Sequence, residues 1–578
     1  MAERGSKAQQ ELSSIRDTIE SIWVAIVLAF VLRGFVVEAF VIPTGSMAPR
    51  LFGEHLDVRC PACGYEYAFG WSAEQEQAAS GWPSSTRGSR ATGFRVPSGA
   101  ACPNCGHDRP PERQIAGGDR VLVMKYIYRF REPEPWDVIV FKNPQDNRQN
   151  YIKRLIGLPG ETIEIVHGDV FVKPRKGNGY RIRRKPKQNV QQAMWQVVFD
   201  NDYHPSLAAF AQANDSRDEA ERIAPPYWKP VGPGAERWGL SAVYGRRFVF
   251  AGGDEAEVVF HGRDNTFLPR YGYNVALNAR RDFEFGVDVL TDLKLQTVYF
   301  PGAPDSRIML TLSSFEYVFR GEIGADGRAA LRVRPLGGRG EWKPLAEPVS
   351  LGPLRPDRGH KVALTHVDLR VTLWLDDRPI LLSRDRDEGL AKGLVAYPMD
   401  YSALKRRLAQ ARAEVGAVPV PQPTVKIAAS GGRCRLRHVQ LLRDVYYTSP
   451  RFQRGPANGP DGELARSIGL AQGDLGWGVE GHPITLRKQR EDRPDDLDQF
   501  FVLGDNSPSS LDGRLWSLAA VTLRLRDKAG QSVYQLGTVP RYSIIGKAIF
   551  VYWPSGFRIP GLPRLPIIPN VGRMRLIR

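Results

Sequence analysis

A mainly β protein with a single N-terminal transmembrane helix is the fold class the sequence predicts. Three observations carry that reading. One long apolar stretch lies near the N-terminus, short β-branched runs bounded by Pro, Gly and Asn fill most of the remainder, and helical periodicity is nearly absent. The 578 residues suffice for several domains at ~100–200 residues each. With 42% hydrophobic and 25% charged residues, general disorder is excluded. A mean hydropathy of −0.34 and a lone apolar stretch exclude a multi-span membrane protein. Five cysteines are too few for a disulfide-stapled scaffold.

The apolar stretch, residues 22–42, reads IWVAIVLAFVLRGFVVEAFVI. As a helix it would rise roughly 32 Å, close to the hydrocarbon thickness of a bilayer. Arg33 and Glu38 sit past its middle, where an exit at the far surface would accommodate them. The preceding segment sets Arg4, Lys7 and Arg16 against four acidic residues, and no small-x-small site follows the apolar run. A retained anchor at 21–42, behind a cytoplasmic tail at 1–20, is therefore expected rather than a removable leader.

Residues 58–112 hold four of the five cysteines and read as an insertion, with a loop over 72–101. Strand texture begins at Asp119 and continues through Thr162–Val172, whose hairpin turns at His167-Gly168-Asp169. The basic run at 173–188 reads as a solvated face, and 205–225 as linker or short helix. From 226 to 448, ten or more alternating runs predict a large β-sandwich, interrupted by one helix at 404–414. Within it, HKVALTHVDLRVTLWLDDRPI (360–380) predicts two strands and a tight turn, and resembles a hairpin of concanavalin-like or laminin-G-like sandwiches. Strand texture resumes near Gln499, and 554–578 reads as a basic, Pro-rich surface tail.

Four short blocks carry the chemistry. They are Pro43-Thr44-Gly45-Ser46-Met47, Gly118-Asp119-Arg120-Val121, Tyr151-Ile152-Lys153-Arg154 with its continuation to Glu161, and the run Gly504-Asp505-Asn506-Ser507-Pro508-Ser509-Ser510-Leu511-Asp512-Gly513-Arg514. Each alone is weak. In this order, behind one apolar stretch, they resemble the bacterial type I signal peptidases (leader peptidases), serine proteases with a Ser–Lys dyad. The resemblance covers roughly residues 20–55, 115–200 and 495–553.

That resemblance implies a catalytic β core split into residues 43–57, 113–225 and 449–553. It implies Ser46 as nucleophile, Lys153 as general base, Thr44 as an oxyanion-hole hydroxyl and Ser510 as the hydroxyl orienting the lysine. Asp505, Asp512 and Arg514 would brace the last loop. Phe40, Ile42, Tyr151 and Ile152 would line the pockets for small side chains at −1 and −3. The family often carries Arg-Asp where this chain has Ser507-Pro508, which leaves the bracing of that loop open. Exported preproteins would be the substrates, and the bacterial inner membrane the location, single-pass with an extracytoplasmic catalytic domain. Membrane lipid would be a partner and nucleic acid would not, and cleavage would need no cofactor.

The chemistry is self-consistent. A serine hydroxyl needs an adjacent base. A lysine serves as that base only when desolvation lowers its pKa from ~10.4. A Ser–His alternative through His55 finds no orienting acid in the residues that follow.

Cys60-Pro-Ala-Cys63-Gly and Cys102-Pro-Asn-Cys105-Gly are paired knuckles whose spacing suits a closed four-thiolate zinc ribbon. An extracytoplasmic location would favour two disulfides instead, and unmetallated thiols are a third possibility. Cys434 reads as inert. Two rival functions are weaker: an anchored carbohydrate- or protein-binding module, with the sandwich as its working part beside an inactive protease core, and a nucleic-acid binder suggested by the +17 charge and the paired cysteines. The retained blocks argue against the first, and the dispersed basic residues against the second. Both insertions interrupt the chain between blocks, so the core is expected to form around them, and the sandwich at 226–448 is expected to be replaceable by a short linker.

Overall fold

The computed structural model describes residues 16–70, 102–107, 114–204, 227–262, 267–274, 289–413, 420–448, 476–489 and 497–577, apart from single positions and short internal gaps. The loop expected at 72–101 and the linker at 205–225 lie outside the described residues. The protein is mainly β, built from two open core sheets, a small knuckle sheet and a two-sheet sandwich.

The apolar stretch does not form one spanning helix. The chain is helical over 18–28 and 30–31, with Trp23, Val24 and Phe30 exposed, then passes through a π-helical turn at Leu32–Val36. Val37–Val41 is a β-strand that pairs antiparallel with Arg120–Met124. Glu38, expected inside a membrane, sits in that strand with its carboxylate 3.2 Å from Lys125 Nζ. Among the described residues no helix is long and apolar enough to cross a membrane. The expected transmembrane helix at 21–42 is thus corrected. The single-pass inner-membrane placement that the resemblance implied is corrected with it. The physical reason is pairing: β-branched Val37 and Val41 gain a strand partner in Arg120–Met124 that a continuing helix would forgo.

The first core sheet runs Val37–Val41, Arg120–Met124, Ile544–Trp553, Val138–Lys142, Asn150–Gly157, Gln499–Leu503 and Val539–Pro540. Every pairing in it is antiparallel. It therefore gathers strands from both ends of the chain, and Arg575–Leu576 adds to Ile544–Trp553. In the expected surface tail at 554–578, Val571 and Leu576 are indeed exposed, yet its last strand is tied into the sheet. The second core sheet contains the Thr162–Val166 and Asp169–Lys173 hairpin. Positive φ at His167 (49°) and Gly168 (85°) marks a two-residue turn whose twist matches its strands.

Two eight-stranded antiparallel sheets form the sandwich. Strands such as Arg328–Pro335 alternate buried and half-buried residues, as a sheet with one covered face requires. The 360–380 segment makes three strands, not two: His360–Val367, Arg370–Leu375 and Arg378–Leu382. Both turns, Asp368-Leu369 and Asp376-Asp377, take positive φ at both central residues.

The sandwich also begins before residue 226. Gln196–Asp200 pairs with Cys434–Arg443, and Val166, Phe171, Val198 and Phe199 belong to the sandwich's buried cluster. The basic run at its border is solvated at Lys173, Arg175, Lys176 and Arg181, as expected, but not at its end. Arg184 grips Asp385 through bonds of 2.6 and 2.8 Å, and Lys185, sealed from solvent, reaches Asp368 at 3.0 Å and Asp444 at 2.5 Å. Burial alone would push the Lys185 pKa down. The two carboxylates outweigh it and hold the ammonium above the usual lysine range.

Candidate active site and four-cysteine centre

Strand alternation in Asn150–Gly157 sends Tyr151 and Lys153 to one face and Ile152 and Arg154 to the other. Ser46 lies in the 3-10 turn Gly45–Met47, which follows an extended Thr44. The turn is anchored by Met47 and Leu51, both fully buried against Val121 and Val138. Between these two elements Lys153 Nζ approaches Ser46 Oγ to 2.8 Å and donates also to Ile152 O at 3.1 Å. Among the described residues Lys153 has no ion-pair partner within 4 Å. Its amine sits 5.1 Å from the Tyr151 ring centre. Burial lowers the Lys153 pKa to about 8, with the charges of Asp512 and Asp505 opposing the shift.

Thr44 is exposed, and its hydroxyl makes no capping bond. Ser510 is buried beside the same turn, yet among the described residues its hydroxyl has no hydrogen-bond partner and does not reach Lys153. Its Oγ fills the space a Cβ at position 504 would need, 2.1 Å away, so Gly504 lets the two segments close. Asp512 clamps Arg514 at 2.9 and 2.7 Å and accepts from Gly504 N at 2.9 Å. Arg514 in turn donates to Ser507 Oγ at 2.6 Å and to Thr448 O at 2.6 Å. The departure at Ser507 thus takes part in the bracing instead of weakening it.

Phe40, Ile42 and Ile152 share one apolar cluster, whereas Tyr151 packs on the opposite sheet face with Phe141 and Trp516. The structure therefore brings together three of the four expected pocket residues. His55 is fully buried, with Nε2 3.5 Å from Asp57, an acid that the sequence reading overlooked. Neither is bonded to Ser46.

Three contributors went unassigned in the sequence. Arg154 is buried and binds Asp505 at 2.7 and 2.6 Å. Its position after Lys153, on the opposite face of an otherwise apolar strand, was the available signal. Asn506 donates its backbone N–H to Ser46 O at 3.0 Å and its amide to Gly45 O at 2.8 Å. Asn274 pairs with Asn506 from 232 residues away, and nothing local could have revealed it.

The knuckles are near-identical turns. Gly64 and Gly106 take φ of 75° and 77°, and their N–H groups bond to Cys60 O and Cys102 O at 2.8 and 2.7 Å. Cys60 and Cys105 sulfurs lie 3.6 Å apart, and those of Cys63 and Cys102 3.7 Å. A tetrahedron of thiolates at ~2.3 Å from zinc has edges of ~3.8 Å. None of the four cysteines is joined in a disulfide, and their geometry is compatible with metal coordination. Asn104 ties the second knuckle to Asp200 N at 2.6 Å and Tyr203 O at 2.9 Å.

Comparison with known proteins gives the region a class. Residues 109–220 and 486–553 match the family described as "Signal peptidase, peptidase S26". A probable signal peptidase I-1 of Synechocystis is 43% identical over 61 residues, covering 9% of this chain and 31% of the relative. A signal peptidase I of Rickettsia bellii is 23% identical over 157 residues, covering 27% of this chain and 39% of the relative. The chain thus spans about a third of the length of these relatives. The matches link it to the signal-peptidase superfamily through a core region. Solved structures similar to this chain include the carbohydrate binding module CBM66 from Bacillus subtilis (9% identity, 37% of this chain and 94% of that one, TM-score 0.22). Another is the laminarinase from Rhodothermus marinus (12% identity, 38% and 92%, TM-score 0.22). Scores this low carry no fold assignment, which rests on the strand order itself.

Proposed function

We propose that the chain is a serine endopeptidase that removes signal peptides from exported preproteins by cutting after a small residue. The observation that carries the reading is a buried lysine amine, with its pKa lowered to about 8, held 2.8 Å from a serine hydroxyl. In this reading neutral Lys153 takes the Ser46 proton as Oγ attacks the scissile carbonyl. The Ser46 N–H and the Thr44 hydroxyl receive the developing oxyanion. Such a donor is worth ~3 kcal/mol in a studied protease. The Lys153 ammonium then gives its proton to the leaving amine; neutral Lys153 next takes a proton from water as it attacks the acyl carbonyl, and returns that proton to Ser46 Oγ as the Oγ–acyl bond breaks and the acid product leaves. Asp505, Asp512 and Arg514 support the loop behind the serine, and Phe40, Ile42 and Ile152 wall the approach for small side chains. Ser510 is assigned to close packing at Gly504. The four cysteines would hold a structural zinc, because four thiolates leave no open position for chemistry.

The test is incubation of purified full-length protein with a preprotein carrying an Ala-x-Ala site, with products read by mass spectrometry. Cleavage after the second Ala, lost in both Ser46→Ala and Lys153→Ala, is expected. Undiminished cleavage by Ser46→Ala, or equal cleavage of variants with Leu or Phe at −1, would reject the reading.

A further inference from the structure

A segment of the sandwich-bearing insertion reaches back onto the nucleophile turn. Phe267 is buried in the sandwich core. A few residues on, the 3-10 turn Gly272–Asn274 leaves that core and packs against Ala48, Phe52 and Ala68. The Tyr273 ring occupies the volume that side chains at both Gly45 and Gly70 would need, with closest approaches of 2.2 and 2.3 Å to their ideal Cβ positions. Its hydroxyl donates to Glu54 O at 3.2 Å.

Asn274 lies beside it, 5% exposed, and exchanges amide hydrogen bonds with the fully buried Asn506. The inventory of Asn506 is then complete. One amide hydrogen goes to Gly45 O and the other to Asn274 Oδ1, its Oδ1 accepts from Asn274, and its backbone N–H goes to Ser46 O. The carbonyls of both Gly45 and Ser46 therefore hang on one asparagine whose amide plane is set from the insertion. Without Asn274, the Asn506 amide would lose a donor and an acceptor in a site closed to water, and would be free to turn away from Gly45.

We infer that Asn274 is a positioning residue for Ser46, acting through Asn506, so that the sandwich-bearing insertion supplies part of the peptidase site. The inference rests on the peptidase reading above. A displacement of about 1 Å in a reacting group can cost roughly 100-fold in rate. The expected signature is a fall in kcat of roughly 10- to 100-fold for Asn274→Ala, with KM within about twofold of wild type.

The experiment measures kcat and KM of the full chain on the Ala-x-Ala preprotein for wild type, Asn274→Ala, Asn506→Ala and the double variant, with thermal unfolding as a fold control. Because Asn274 acts through Asn506, the double variant should be no slower than Asn506→Ala alone. Asn274→Asp keeps the acceptor but not the donor, and should fall between wild type and Asn274→Ala. If Asn274→Ala does not fold, Asn274→Asp is judged by the same kcat and KM criteria. A wild-type kcat in the folded variant, a loss confined to KM, or multiplying losses in the double variant would each overturn the inference while the peptidase reading stands. An inactive wild type would refute both.

Discussion

Arg154 and Asp505 form a two-pronged ion pair, at 2.7 and 2.6 Å, with both side chains sealed from solvent. The guanidinium also donates to Trp136 O at 2.8 Å. Since Arg154 leaves the strand on the face opposite Lys153, this pair fixes the lysine's strand to the loop that follows Leu503. Removing one partner of a buried pair strands the other charge and typically costs ~3–5 kcal/mol. We expect Asp505→Ala to lower unfolding free energy by about that much, and more than Asp505→Asn, which retains an acceptor. Denaturant titration checks this, and a change under ~1 kcal/mol would remove the pair from any structural role.

The lowered Lys153 pKa fixes the direction of the pH dependence. A base works unprotonated, so kcat/KM should rise with pH and level off above about 8. Stability moves the same way. An unfolded lysine titrates near 10.5, so between about 8 and 10.5 the unfolded chain binds more protons than the folded one, and stability increases with pH. At pH 7 the buried ammonium is a liability of about 3 kcal/mol. Lys153→Met should therefore raise the melting temperature while abolishing activity, and a lower melting temperature would contradict the burial cost.

Sequence and structure agree where the signal is local. The alternating strands, the His167-Gly168 turn and the two knuckles are readable because period, turn chemistry and spacing lie within a few residues. The Ser46–Lys153 approach spans 107 positions, and composition alone does not reveal it. It became an expectation only through the order of the blocks. What failed depended on partners far along the chain. Hydropathy cannot tell that Val37–Val41 will pair with Arg120–Met124, nor that Lys185 will meet Asp444. Arg184 and Lys185 read as solvated because their counter-charges lie about 200 residues on.

For the cysteine centre we expect about one zinc per chain by elemental analysis. Sulfur separations of 3.6 and 3.7 Å are far from the ~2.05 Å of a disulfide and near the edge of a zinc–thiolate tetrahedron. Chelation should release four titratable thiols and lower stability locally, since Ser46 precedes the knuckles and Lys153 follows them. Two disulfides found by mass spectrometry under thiol-blocking conditions would decide against zinc.

Deletion of the sandwich is where the sequence expectation and the structure diverge most. Replacing residues 226–448 with a short Gly/Ser linker would leave a peptidase if the insertion met the core only at its ends. It does not. The strand Gln196–Asp200, outside the deletion, has Cys434–Arg443 as its partner and would become an unpaired edge. Phe171 and Phe199, each about 1% exposed, would lose the apolar side chains that cover them. At ~25 cal/mol per Å², uncovering one such side chain costs about 1.5–3 kcal/mol. Glu164, bonded to Lys405 at 2.8 Å and to Tyr401, would lose both partners, and Lys185 would lose Asp368 and Asp444. Against the 5–15 kcal/mol that holds a typical domain together, these losses are decisive. We therefore expect the deleted chain to be insoluble or to bind a hydrophobic dye without a cooperative melt. A deletion protein that melts cooperatively and still cleaves preprotein would show that the core closes on its own, and that the contacts across the border are incidental to it.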